Sequence, residues 1–340
     1  MRNTKFWGDK RYYSLDYYLK EQFGKKIYKL SINGGMTCPN RDGTIDNRGC
    51  IFCSAGGSGD FSTPATLSIT EQIEEAKKLV SKKINSKKID AAHVTHEHNI
   101  TKNGLAGENS NDHGFPNLGS SGQYIAYFQA YTNTYANINY LRKIYTEAIN
   151  HKDIVALSIA TRPDCLGDDV LGLLAELNQI KPIWVELGLQ TKHEITAEFI
   201  RRGYPLSVFE KAVHDLNKIN LNIIVHVILG LPGESRDNML STISYVSSLR
   251  VQGIKLQLLH ILKNTDLADY TFTVLSMDDY IDILISALEL IPKNIVIHRI
   301  TGDGPKDQLI APMWSANKKK VLNTINQELK LRDTWQGKLL

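Results

Sequence analysis

Three of the chain's four cysteines, Cys38, Cys50 and Cys53, fall within sixteen residues, in the stretch SINGGMTCPNRDGTIDNRGCIFCSAGGSGDF that covers 31–61. The fourth, Cys165, stands far downstream. Such a distribution is a poor disulfide framework and a better metal site. The thiolate is the form that binds metal. Structural zinc takes four N or S ligands, and an iron-sulfur cluster held by protein alone takes four cysteines. Three clustered thiols therefore leave one coordination position open for a small molecule. The competing reading, zinc held by Cys38, Cys50, Cys53 and a distant histidine, lacks a second CxxC or HxxxH pair to complete it.

The elements that must position these thiols follow from the rest of the pattern. A chain of 340 residues with 42% hydrophobic and 22% charged residues is that of a globular protein with a sizeable core. A net charge of +4 permits an anionic partner without requiring one. The N-terminus has no signal-peptide core, and no stretch is apolar for the roughly 18 residues that a membrane span needs. With its clustered free thiols, the chain is expected in the reducing cytoplasm, away from membranes.

Short β-branched runs at 27–32, 124–128, 154–159, 183–187, 223–229, 254–259 and 295–300 alternate with helical patterns beginning near Thr70, Ile138, Asp168, Glu194, Leu206, Ser235 and Met277. This rhythm predicts a parallel sheet with crossover helices. Ser68 and Glu71 form a capping box for the first of those helices. The sum is an α/β fold, a partial (β/α)6 TIM-like barrel, and the cysteines follow its first strand at the C-terminal mouth where such barrels place their chemistry. Expected divisions are an N-terminal helical extension over 1–26, a core over 27–300 and a C-terminal extension over 301–340 packing on the barrel. Within the core, the Asn- and Gly-rich stretch 93–122 reads as a flexible polar insertion. Its His93, His96, His98 and His113 lack a carboxylate or Cys at ligand spacing and read as solvated.

The three-thiol set resembles that of radical S-adenosylmethionine (SAM) enzymes, in which SAM chelates the open iron of a 4Fe-4S cluster. Eleven residues separate Cys38 from Cys50, and Cys50-Ile-Phe-Cys53 keeps a Cys-x-aromatic-Cys ending. The wide gap is similar to the branch containing the catalytic subunit of Elongator and, more closely, the bacterial YhcC/YtqA family, through the words CPNRDGT, GCIFC and SGDF. The resemblance implies a 4Fe-4S cluster on Cys38, Cys50 and Cys53, bound SAM, an oxygen-sensitive brown protein and an electron donor such as flavodoxin or ferredoxin. It implies reductive cleavage of SAM to a 5′-deoxyadenosyl radical that abstracts hydrogen from a substrate. By analogy with Elongator, tRNA or another RNA is the leading substrate class. A small metabolite, as for oxygen-independent coproporphyrinogen oxidase, and a non-catalytic zinc-stabilised RNA-binding module are the alternatives.

The same resemblance assigns further residues. Phe52 is similar to the aromatic near the adenine. Gln129, Tyr131, Thr132 and Asn133, in FQAYTNTYA, occupy the place of a Gly-Gly-Glu-like turn that receives the methionine amine, although this chain lacks those glycines. Arg162, in TRPD, stands where relatives carry an acidic ribose ligand nearby and this chain has Ala160. Glu186 and Gln190 in VELGLQT share a strand face if alternation holds, and Gln190 with Arg202 matches residues near the SAM ribose and carboxylate. Gly230 in GLPGES opens a turn beside the adenine. Cys165 falls near the same mouth as a candidate hydrogen-atom donor or carrier of a covalent intermediate, structural burial being its alternative. Lys255, Gln257, His260, Arg299 and Asp303 are expected on the substrate side. An auxiliary cluster would need more cysteines than the one that remains.

Overall fold

In a computed structural model, which describes residues 6–57, 59–94, 122–302 and 304–340, seven parallel strands curl into a half-barrel. They are β1 (Tyr28–Ile32), β2 (Tyr124–Phe128), β3 (Ile154–Thr161), β4 (Ile183–Gln190), β5 (Asn222–Leu229), β6 (Gly253–Leu258) and β8 (Val296–Arg299), in that spatial order. A short antiparallel pair, β7 (Ile261–Leu262) with β9 (Leu309–Ala311), stands beside the mouth. No alternation pattern marks it, because two or three residues carry no period.

Helices α2 (Ile69–Val94), α3 (Ile138–Asn150), α4 (Asp168–Asn178), α5 (Glu194–Phe199), α6 (Leu206–Lys218), α7 (Arg236–Ser248) and α8 (Met277–Glu289) form the crossovers, and α9 (Lys318–Leu331) packs on α8. The Ser68 and Glu71 side chains cap α2 as expected. The insertion at 93–122 begins inside α2, and 95–121, with His96, His98 and His113, lie outside the described residues. No described helix is long and apolar enough to cross a membrane.

Outward-facing strand residues and inward helix faces make the main core, from Leu30 and Ile32 through Phe128 to Leu284. This explains the near-continuous apolar strands, since a parallel sheet is covered on both faces. The barrel interior divides differently. Helix α1 (Leu15–Phe23), capped by Ser14, plugs its N-terminal end: Leu19 packs with Ile27, Ile125, Val155, Trp184 and Ile224. β1 and β8 are the unpaired edges of the sheet, and the segment before α1 bridges to one of them, the Ile297 amide donating to the Tyr13 carbonyl at 2.7 Å. The C-terminal tail locks this segment. Buried Gln336 accepts from the Tyr13 amide and donates to the Pro292 and Ile295 carbonyls.

Gln72 on α2 ties the helix to the chain leading into the cysteines. Its Oε1 accepts from the Asn33 amide and the Thr63 hydroxyl, while its Nε2 donates to the Asn33 and Leu67 carbonyls. Replacing Gln72 with Leu leaves these buried groups unpaired. The expected loss is about 1–3 kcal/mol in urea unfolding, and a value near zero would show that the loop does not depend on this anchor.

Candidate active site

The cysteine loop has little regular structure, so its backbone groups are satisfied by side chains brought to it. The Arg41 guanidinium donates to the Cys53 and Ser54 carbonyls, both at 2.8 Å. Asn40 donates through Nδ2 to the Arg201 carbonyl at 2.8 Å and lies 3.7 Å from the Cys50 sulfur. Gly57, at φ 56°, lets Tyr131 lie flat against the loop where any Cβ would collide with the ring. The Tyr131 hydroxyl in turn donates to the Ala55 carbonyl.

The three thiols stand close enough to feel one another. Burial, reinforced by the neighbouring Cys53, pushes the Cys50 thiol up to about 12, and burial raises Cys53 against the pull of Arg41. All four cysteines are free. Cys50 and Cys53, as buried thiols that resist ionisation, are donors that a metal must deprotonate as it binds. Cys53, with Phe52, opens onto a cavity of about 470 Å³ that runs down the barrel interior.

Of the residues expected at the cofactor, Phe52, Gln129 and Gln190 line this cavity. Gln190 arrives there by a route the simple alternation does not give. A register shift between Gly188 and Gln190, with φ 67° at Gln190, re-aims the side chain at the strand's end. Its Oε1 is buried without a hydrogen-bond partner, and the residue lines the cavity together with Phe52 and Cys53.

Four other residues expected at the cofactor, Arg202, Arg162, Thr132 and Asn133, are hydrogen-bonded to surrounding backbone. Arg202, 1% exposed, donates to the carbonyls of Tyr204, Leu189 and Thr191 and to Glu194. Arg162 donates to both Asp164 carboxylate oxygens and to the Arg202 carbonyl. Thr132 is buried with its amide on the Thr37 carbonyl, and Asn133 donates to the Ala160 carbonyl. Gly230, at φ 91°, packs against Leu275 and Leu259 rather than on the cavity.

Cys165 belongs to the 3-10 turn Pro163–Cys165 and lines a separate depression with Pro39, Thr44 and Tyr135, within electrostatic range of Cys38. It does not line the main cavity, and burial with the adjacent Asp164 pushes its thiol up to about 12.

Lys255, Gln257, His260 and Arg299 all line the cavity, while Asp303 lies outside the described residues. Glu186 sits at the bottom, with no exposed side-chain surface. Its Oε1 accepts from Lys29 Nζ at 2.7 Å and Ser158 Oγ at 2.6 Å, and its Oε2 accepts from His226 Nε2 at 2.7 Å and from Lys255. Lys255 also reaches the Tyr127 hydroxyl at 3.0 Å. Burial alone would raise the Glu186 carboxyl, but Lys255, Lys29 and His226 hold it well below the usual carboxylate range. Burial lowers Lys255 to about 7 against the attraction of Glu186, and burial with the nearby Lys255 lowers His226 to about 4.

Lys29, Tyr127, Ser158 and His226 are not singled out by the sequence. Their signal is a polar side chain interrupting each apolar strand, as in YKLSI, YIAYF, IVALSIAT and NIIVHVIL.

Comparison with known proteins supplies the identity. The Radical SAM superfamily model matches residues 117–246 and the Radical_SAM C-terminal domain model matches 251–331. YtqA of Bacillus subtilis is 42% identical over 97% of this chain and 93% of its own length. YhcC of Escherichia coli is 33% identical over 88% of this chain and 86% of its own. The chain belongs to the YtqA/YhcC family of radical SAM proteins. It is thus a radical SAM enzyme, and members of this superfamily bind a 4Fe-4S cluster and SAM. Two further matches are partial. A tRNA uridine(34) acetyltransferase of Methanocaldococcus jannaschii is 25% identical over 50% of this chain and 32% of its own. The structure of archaeal Methanocaldococcus infernus Elp3 shares the fold, with a TM-score of 0.55 at 18% identity over 63% of this chain and 55% of that one.

The bottom network sets a pH response. Unfolded, His226 titrates near 6.5; folded, it stays neutral to about 4. Between those values the unfolded chain binds the extra proton, so stability falls as pH drops from 6.5 toward 4. His226→Gln, which keeps an N–H for Glu186, should flatten this slope in urea unfolding at pH 7 and pH 5. An unchanged slope would show that His226 is not the group titrating.

Proposed function

We propose that Cys38, Cys50 and Cys53 hold the 4Fe-4S cluster of this radical SAM enzyme and that the cavity beneath Cys53 receives SAM and the substrate. The observation that carries this reading is the meeting of three mutually coupled thiols, in a loop braced by Arg41 and Asn40, with the one end of the cavity where Phe52, Gln129 and Gln190 converge. When bound, the cluster and SAM together supply a 5′-deoxyadenosyl radical by one-electron cleavage of the sulfonium, with flavodoxin or ferredoxin as the class of electron donor.

The chain's own residues do the rest. Gln190 offers its unpaired Oε1 to a donor such as the ribose hydroxyls or the adenine amine, and Phe52 gives an apolar face for the adenine. Arg162 and Arg202 fix the loop from behind rather than touching the cofactor, and Tyr131, Thr132 and Asn133 hold the turn after β2. Helix α1 seals the barrel's lower end, which limits water and other hydrogen donors around a reactive carbon radical.

RNA is the substrate class we favour. Support comes from the partial likeness to the tRNA uridine(34) acetyltransferase, together with the mild positive charge of the chain. Four free thiols, three of them gathered in one loop, fit the reducing cytoplasm.

Anaerobic reconstitution with iron and sulfide should give a brown protein with about four irons per chain and, with SAM and dithionite, 5′-deoxyadenosine. Alanine at Cys38, Cys50 or Cys53 should abolish both, whereas Cys165→Ala should retain the cluster. Failure of the parent protein to bind iron, or loss of the cluster in Cys165→Ala, would overturn the ligand assignment. For the substrate, mass spectrometry of tRNA nucleosides from a deletion strain should show one modified nucleoside altered. An unchanged nucleoside profile beside a shifted small-metabolite profile would move the substrate out of RNA.

A further inference from the structure

Among the described residues, every charged side chain that lines the cavity already has a partner. Lys29 and Lys255 donate to Glu186, Asp60 accepts from Ser54 Oγ at 2.9 Å, and Arg299 is engaged within the protein. A phosphate or carboxylate entering here would find no unpaired cation to offset its desolvation, so the interior selects against ions. The polar atoms left over are uncharged. Gln190 Oε1 and His298 Nδ1 are both buried without a hydrogen-bond partner, in residues that line the cavity. The first is assigned above to the cofactor. The second has no such assignment.

His298 reaches the barrel interior through an irregularity of β8. Ile254 pairs with Ile297 and Lys255 with Arg299, which leaves His298 as the extra residue of the strand. Strict alternation would send His298 and Arg299 to opposite faces of the sheet, yet both line the cavity. The imidazole is held in place by its surroundings. It meets the Trp184 ring edge to face at 5.6 Å, and Gly253 makes room for it, since a Cβ there would lie 2.6 Å from Nε2. Burial, with Lys29 nearby, holds the ring well below the usual histidine range and so keeps it neutral. A neutral imidazole has one donor and one acceptor nitrogen. On the neighbouring strand β6, Gln257 lies two residues beyond Lys255 on the same cavity-lining face, and its carboxamide offers a second donor and acceptor.

We propose that His298 and Gln257 form a recognition subsite for an uncharged nucleobase of the substrate, one with a ring N–H beside a carbonyl. A carboxamide matches such an edge with two parallel hydrogen bonds, the geometry by which glutamine reads bases in general, and the imidazole supplies a further bond. A base that enters the barrel has left its stack, so the substrate presents it from a single strand or by extrusion. This subsite deepens, and rests on, the reading of the cavity as the substrate chamber and of RNA as the substrate.

Anaerobic isothermal titration of the reconstituted full-length enzyme, with SAM and without reductant, tests it. The probes are uridine and guanosine, against 3-methyluridine and 1-methylguanosine, in which a methyl group replaces the ring N–H. At least one parent nucleoside is expected to bind saturably, with its methylated counterpart roughly tenfold or more weaker. His298→Phe, shown to be folded by its melting curve, should bring that ratio close to one; Gln257→Leu carries the test if His298→Phe does not fold. A merely structural role would change both affinities together and leave the ratio in place. Absence of saturable binding by either parent, equal binding of the methylated forms, or an unchanged ratio in the folded variant overturns the subsite. Cluster content and 5′-deoxyadenosine formation, measured on the same preparations, report separately on the radical SAM reading, and if no cluster forms the cluster-free protein carries the titration.

Discussion

A carboxylate with no exposed surface, Glu186, is the constraint around which the barrel interior is arranged. Left alone in a low-dielectric core it would take up a proton, and the cost of keeping it ionised is met by donors from four other strands. Lys29 comes from β1, Ser158 from β3, His226 from β5 and Lys255 from β6. The contact from Lys29 reaches across the lumen, since β1 and β4 are not neighbours in the sheet. A buried ionic cluster of this kind contributes little net stability compared with an apolar core of equal volume. What it does contribute is geometry: a register error in any of the contributing strands would turn its polar side chain to the helix-covered face.

The cysteine loop obeys the complementary rule. Here it is backbone, not side chains, that lacks partners, and the solution is a relay of cations aimed at carbonyls. Arg41 holds the carbonyls of Cys53 and Ser54, Arg162 and Asn40 hold that of Arg202, and Arg202 holds the end of β4. Arg162 and Arg202 also lie over the Tyr204 ring, each at 4.9 Å. Arg162 and Arg202, which in sequence suggest contact with the cofactor, direct guanidinium donors at these carbonyls. This follows from where a guanidinium is useful: a planar group with five donors can satisfy several carbonyls that no strand or helix will pair.

What the sequence makes legible divides along the same lines. The strands at 124–128, 154–159 and 183–187 can be read closely because apolar runs between turn residues have a length and a composition. β7 and β9 cannot, being too short to have a period and paired only through the mouth of a barrel already formed. Cys38, Cys50 and Cys53 are visible because their function resides in their spacing, and Lys255 and Arg299 because charge in a strand is conspicuous. Cys165 shows the opposite case, since proximity in the chain to a strand's end does not reveal which depression the following 3-10 turn places it in. Gln190 reaches the cavity through a bulge and a positive φ, neither of which alternation reveals. Lys29, Tyr127, Ser158 and His226 each look like a single polar interruption, and only the registers of β1 to β6 show them converging on one carboxylate.

The cavity joins two unlike ends: Cys53 opens onto one, and the Glu186 carboxylate with the lysines that hold it lies at the other. The upper end, walled by Phe52, Ile228 and Leu259, is comparatively apolar and suits an uncharged carbon radical and an adenine ring. The lower end is polar and lies above α1, whose Leu19 packs with Ile27 and Trp184. Removing that plug would open the lower end of the barrel interior to water. Confinement is in this sense as much a property of the N-terminal helix as of the barrel, and radical chemistry on a carbon centre requires the two to act together.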